Sequence, residues 1–339
     1  MSTFDRRDFL RKTAIAAAVT QFGLPTLARA QSLNSPQPLS FGPLKERNAM
    51  TTPLPPQLQS QFSHQTAHVN GIDVHYVIGG QGFPVVLLHG WPETWYSWRK
   101  IMPALAQQYT VIAPDSRGMG ETQRTEIGYD ASTLADDAYS LVQSLGFQQA
   151  YVVGFDLGVS TAYAYAAKYR DAVQRLVILE IPVEAFGREE LIAKRNLFWF
   201  GLFQASDGLA ESLAEGREET FLGWFYSHLT RVKSAFTPDD IAEYLRAYSG
   251  RDALRAGFEW YRASATNAQL FTDYGKKRLS IPVLALGGGN SGAGWPLYGM
   301  AQLADNVSGG NVPTCGHYIP EEQPEELLRQ LNAFFSQQA

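Results

Sequence analysis

The chain has 339 residues, 45% hydrophobic and 18% charged, with a net charge of -5. That length supports one large core plus a sizeable insertion. The acidic balance, with basic residues clustered only at Arg6-Arg7 and Lys276-Lys277-Arg278, argues against a nucleic-acid surface, and the single cysteine, Cys315, excludes an internal disulfide.

The first 30 residues read as an address. Asp5-Arg6-Arg7-Asp8-Phe9-Leu10 carries a twin-arginine pattern, Thr13 to Leu27 is moderately apolar, and Ala28-Arg29-Ala30 offers a small-x-small cleavage site before Gln31. Gln21, Gly23 and Pro25 make the apolar stretch a poor membrane span. The expectation is a bacterial signal peptide over 1–30, export of the folded protein to the periplasm or beyond, and no membrane span after its removal. Residues 31–61, rich in Pro, Ser and Gln, read as a linker or mobile arm.

The globular part begins at Phe62. Two alternating stretches, His64 to Val69 and Asp73 to Ile78, flank Asn70-Gly71 as a hairpin. Pro84 to Leu88 is a buried strand, followed by His89-Gly90-Trp91-Pro92-Glu93, a helix over Tyr96 to Gln107, and a strand over Thr110 to Ala113. Asp130 to Ser144 reads as a capped helix, and Val173 to Leu179 as another apolar strand. Alternating β and α segments with continuously apolar strands predict an α/β fold, a mostly parallel sheet covered by helices on both faces. From Pro182 to Asp273 the pattern turns helical and aromatic, with helix starts at Ser206-Asp207 and Thr237-Pro238, so 182–273 is expected to be a cap inserted between strands. The core would then comprise 62–181 and 274–339, with strand Ile281 to Leu286 and closing helix Pro324 to Phe335.

The chemistry centres on Gly154-Phe155-Asp156-Leu157-Gly158. A strand, Ala150 to Val153, precedes it and a helix, Val159 to Tyr169, follows, the context of a nucleophile elbow. The glycines supply the small residues such a turn demands. A carboxylate at its apex can attack carbon and form an ester. His317, in a loop after the last strand, stands where a general base follows in chain order. Backbone N–H groups of Trp91 and Leu157 would form an anion hole. The loop after Leu286 is glycine-rich and lacks an acid, so Glu180, at the end of strand Val173 to Leu179, is expected to orient His317, with Asp305 as the alternative.

These residues resemble the α/β-hydrolase fold and, within it, the epoxide hydrolases. His89-Gly90-Trp91-Pro92-Glu93 looks like their His-Gly-x-Pro-Glu signature, and the Asp156 elbow looks like theirs. Phe258-Glu259-Trp260-Tyr261-Arg262 looks like the cap motif whose tyrosine opens the epoxide ring. The strand-end glutamate is similar to a secreted, Cif-like subgroup. The resemblance implies epoxide opening to a diol through an Asp156 ester hydrolysed by water that His317 activates, with no metal or cofactor. It also implies a second ring-opening donor within Leu197 to Gln204, where Trp199 is the expected candidate. Phe155, Trp199, Phe200, Phe203, Trp224 and Trp260 suggest an aromatic pocket for a small apolar substrate, an epoxide or organohalide. A dehalogenase using the same ester is the alternative, and a non-catalytic protein on this fold a third; a homodimer is compatible with each.

Overall fold

The computed structural model describes residues 53–337. The twin-arginine stretch and Ala28-Arg29-Ala30 lie outside those residues. The arm does not run free to residue 61. Leu58 is fully buried and Leu54 packs on the same core. Burying one leucine contributes about 1.5–3 kcal/mol, which anchors the segment.

Eight strands form one sheet in the order β1-β2-β4-β3-β5-β6-β7-β8. They are β1 (Phe62–Val69), β2 (Ile72–Gly79), β3 (Phe83–Leu88), β4 (Tyr109–Pro114), β5 (Ala150–Phe155), β6 (Val173–Leu179), β7 (Leu279–Gly288) and β8 (Ala304–Val312). The β1–β2 and β2–β4 pairs are antiparallel and the remaining pairs parallel. The hairpin turns at Asn70 and Gly71, both at positive φ as a two-residue primed turn requires. Successive residues of β5 enter opposite cores, Val152 on one face and Val153 on the other, which is why the strand is apolar throughout.

Helices α1 (Ala131–Ser144) and α2 (Gly158–Lys168) cover the sheet. The Asp130 carboxylate caps α1, accepting from the Ser132 and Thr133 N–H groups at 3.1 Å each. No long helix spans 96–107. The segment breaks into single turns at Trp95–Trp98 and Met102–Leu105, because Pro103 would sit inside such a helix without an N–H to give.

Between β6 and β7 the chain forms α3 (Arg188–Lys194), α4 (Phe198–Ala205), α5 (Leu209–Ala214), α6 (Glu218–Leu229), α7 (Pro238–Ala247), α8 (Arg251–Arg262) and α9 (Ser264–Gly275). Thr237 and Asp240 form a reciprocal capping box at α7, as the sequence suggests. Ser206 ends α4 instead of starting a helix, and Gly208 precedes α5. Helices α10 (Trp295–Leu303) and α11 (Pro324–Phe335) complete the second part of the core.

Candidate active site

The parallel strands β3, β5, β6 and β7 all end at one edge, where catalytic groups gather in open α/β sheets. Asp156 follows β5 directly, at φ 51°. A non-glycine residue there costs on the order of 1–3 kcal/mol and persists only when its surroundings enforce it. The enforcement is steric. A Cβ on Gly158 would meet the carbonyl oxygens of Leu88 and His89, and one on Gly154 would come within 2.7 Å of the Ala162 methyl. The elbow thus packs flush against β3 and lifts its carboxylate into the space above the sheet.

Three partners converge on that carboxylate. The Trp91 N–H donates to Oδ1 at 3.0 Å, the Leu157 N–H also faces it, and His317 Nε2 lies 3.3 Å from Oδ2. The loop that carries Trp91 is itself fixed. His89 Nδ1 bonds to the Gly90 carbonyl at 2.8 Å, while Nε2 accepts from the Ser116 N–H at 3.0 Å. Burial lowers the His89 pKa, so the ring is neutral and suited to this donor–acceptor arrangement.

On the other side of His317, Nδ1 lies 3.3 Å from Glu180 Oε1. Glu180 is fully buried and, like Asp156, sits at positive φ, 80°. Its carboxylate accepts from the Gly288 N–H at 2.7 Å and the Gly292 N–H at 2.8 Å. A Cβ on Gly292 would collide with the Glu180 carbonyl, so the glycine-rich loop that lacks an acid is the wrapping for the acid next door. Asp305 takes no part. It is the second residue of β8, paired with Arg278 at 2.6 Å at the surface.

The electrostatics follow from these contacts. Burial lowers the His317 pKa, but the hydrogen bonds and charges of Asp156 and Glu180 outweigh it and push the ring up to about 10. Burial raises the Asp156 carboxyl, yet His317 and the N–H groups of Leu157 and Trp91 hold it below its usual range. At neutral pH the site therefore sets an Asp156 carboxylate against a His317 imidazolium.

The His317 loop is anchored to the cap. Glu322 accepts from the N–H groups of Gly316 (3.0 Å), Tyr318 (3.0 Å), Arg231 (2.7 Å) and Val232 (2.8 Å), and the His317 N–H donates to the Leu229 carbonyl at 2.9 Å. Sequence reading missed Glu322, since a glutamate in a short helical turn carries no signal of what it holds.

A cavity of about 490 Å³ opens above the sheet edge, lined by Asp156, His317, Trp91 and Leu157 below and by Tyr261 from α8. Its walls are largely apolar, with Leu191, Ile192, Leu197, Phe200, Leu202 and Phe225. Burial, then the Asp156 charge, raises the Tyr261 pKa well above the phenol range, so the hydroxyl keeps its proton. Glu184 and Arg188, which sequence reading did not single out, form a buried pair at 2.6 Å on the cavity wall, tied to Ser160 of α2.

Trp199 does not belong to this site. It is 46% exposed and packs edge-on against Trp224, with ring centroids 5.1 Å apart, and it does not line the cavity. The helical period explains the error. On α4 the cavity is lined by Phe200, Gly201, Leu202 and Ala205, an arc that runs to one side of Phe200, and Trp199 turns about 100° to the other side. Of the expected aromatics, Phe200 lines the cavity. Phe155, Trp260 and Phe203 pack in the core, with Trp260 stacked on the His89 ring.

A family profile described as the alpha/beta hydrolase fold matches residues 84–324. The soluble epoxide hydrolase of Corynebacterium sp. (strain C12) is 37% identical over 295 residues, 82% of this chain and 99% of the relative. The fluoroacetate dehalogenase of a Burkholderia species is 26% identical over 289 residues, 81% of this chain and 94% of the relative. The structure of the epoxide hydrolase CorEH without ligand aligns with a TM-score of 0.76 at 36% identity, covering 81% of this chain and 99% of that one. The chain belongs to the α/β-hydrolase fold family, alongside the epoxide hydrolases, and is a hydrolase.

Proposed function

We propose that the protein opens an epoxide to a diol through a covalent ester on Asp156. The observation that carries this reading is a buried carboxylate with one oxygen in a backbone anion hole and the other beside His317, facing a protonated Tyr261 across an apolar cavity. Asp156 Oδ2 attacks an epoxide carbon, the C–O bond breaks, and Tyr261 gives its proton to the leaving oxygen. Esterification removes the Asp156 charge, so the His317 pKa falls and the ring releases a proton, one for the one Tyr261 has lost. The neutral ring, held by Glu180, then takes a proton from water, which attacks the ester carbonyl. The Trp91 and Leu157 N–H groups hold the resulting oxyanion. Collapse expels the diol alkoxide, which takes the proton of the newly formed acid. Asp156 is again a carboxylate beside an imidazolium, and the proton count closes.

Each positioned acid or base is worth about 10²–10⁴ in rate. His317→Gln should therefore trap the ester, visible as protein plus one epoxide by intact mass spectrometry. A variant that gains no mass from any epoxide of a broad panel would sink the mechanism.

A dehalogenase using the same ester is the second reading, favoured by the Burkholderia relative. A haloacid would need a cation for its carboxylate, and Arg188, the buried arginine on the cavity wall, is already paired with Glu184. Halide release without diol formation would select this reading. Export forms part of the same proposal: cleavage before Gln31 should leave a periplasmic protein whose N-terminal mass reports the cut, and an uncleaved cytoplasmic chain would refute it.

A further inference from the structure

Gln204 is fully buried in the cap, yet neither its amide nitrogen nor its amide oxygen makes a hydrogen bond among the described residues. A buried unsatisfied amide costs about 1–3 kcal/mol, and an apolar residue of the same shape would avoid that cost. Gln204 and Trp199 carry the only side-chain N–H groups of α4, and Trp199 faces outward. Helix α4 packs on α8, and Phe200, one turn before Gln204, touches the Tyr261 ring at a centroid distance of 5.9 Å. The Gln204 amide lies near enough to the Tyr261 hydroxyl to favour the ionised phenol, yet it falls short of a hydrogen bond in the resting structure.

We infer that Gln204 is a positioning residue for ring opening: its amide N–H donates to the Tyr261 oxygen, aims the hydroxyl into the cavity and steadies the tyrosinate left when the proton departs. The inference rests on the epoxide reading above. It explains how the site works with no second donor on the cavity face of α4, since Phe200, Gly201, Leu202 and Ala205 offer none. The bond strengthens as negative charge develops on the phenol oxygen, because hydrogen bonds to charged groups are roughly twice as strong as neutral ones. The amide is therefore weakly engaged in the resting site and fully engaged during proton transfer, a difference that accelerates the step.

The test uses Gln204→Met, close in shape, with Gln204→Leu as a second variant. Ester formation is followed in the His317→Gln background by rapid quench and mass spectrometry, and ester decay by single turnover with His317 intact. Formation should slow at least tenfold, decay should stay within twofold, and the melting temperature should hold or rise. Replacing Tyr261 by the more acidic 3-fluorotyrosine should restore most of the lost rate in Gln204→Met while changing the Gln204 protein far less. Unchanged formation, or formation and decay falling together with the melting temperature, would overturn the role assigned to Gln204. No adduct in the His317→Gln parent would overturn the epoxide reading itself, and this inference with it.

Discussion

Asp156→Asn should lower the His317 pKa from about 10 to about 8 or below. The ring is pushed up from 6.5 to about 10 by two carboxylates that act against burial. Both stand 3.3 Å from it. Deleting one of two equidistant partners leaves the burial penalty intact and removes at least half of the rise, a change worth roughly 3 kcal/mol. Asparagine also mimics the neutral carbonyl of the ester, so the variant reports the His317 pKa in the state where the ring must act as a base. NMR titration of the imidazole carbon-bound protons measures it, with the His317 signal among the 6 histidines assigned from its absence in His317→Gln. The same shift appears in stability. Because the native pKa is raised, the folded wild type holds this proton more tightly than the unfolded chain does. Its contribution is complete below about pH 6.5 and is lost as the pH rises through about 10. The Asp156→Asn protein should lose less over that window. A ring that still titrates near 10 in Asp156→Asn would stay protonated after alkylation, and His317 could not then activate water.

Tyr261→Phe should slow ester formation by about 10²–10⁴, whereas Trp199→Phe should leave it unchanged, since the indole lies outside the cavity; equal losses would restore Trp199 to the site. Glu322→Ala takes the acceptor from four backbone N–H groups, those of Gly316 and Tyr318 in buried bonds, and should destabilise the fold by about 2–4 kcal/mol in denaturant titration. It should also slow ester hydrolysis more than ester formation, because the His317 loop loses its anchor while Asp156 keeps its own. Gly158→Ala should yield little folded protein, as its methyl would drive into the Leu88 and His89 carbonyls; a stable, active variant would show that the elbow can shift away from β3.

The sequence by itself determined the sheet's composition, the elbow and the choice of Asp156, His317 and Trp91, which the fold brings together. These are local matters: apolar runs need two covered faces, and a strained turn needs small residues at fixed spacing. It also singled out Glu180, because a charge at the end of Val177-Ile178-Leu179 needs partners. The identity of those partners was a tertiary decision. Gly288 and Gly292 lie more than 100 residues away and reach Glu180 only because β6 and β7 are neighbours in the sheet. The direction of α4 was equally out of reach. In an aromatic-rich helix that is apolar on nearly every side, the pattern does not say which face looks inward, so Trp199 was placed in a cavity that Phe200 occupies. Gln204 and Glu322 stayed silent for the same reason: what a buried polar side chain does depends on the groups that packing brings to it.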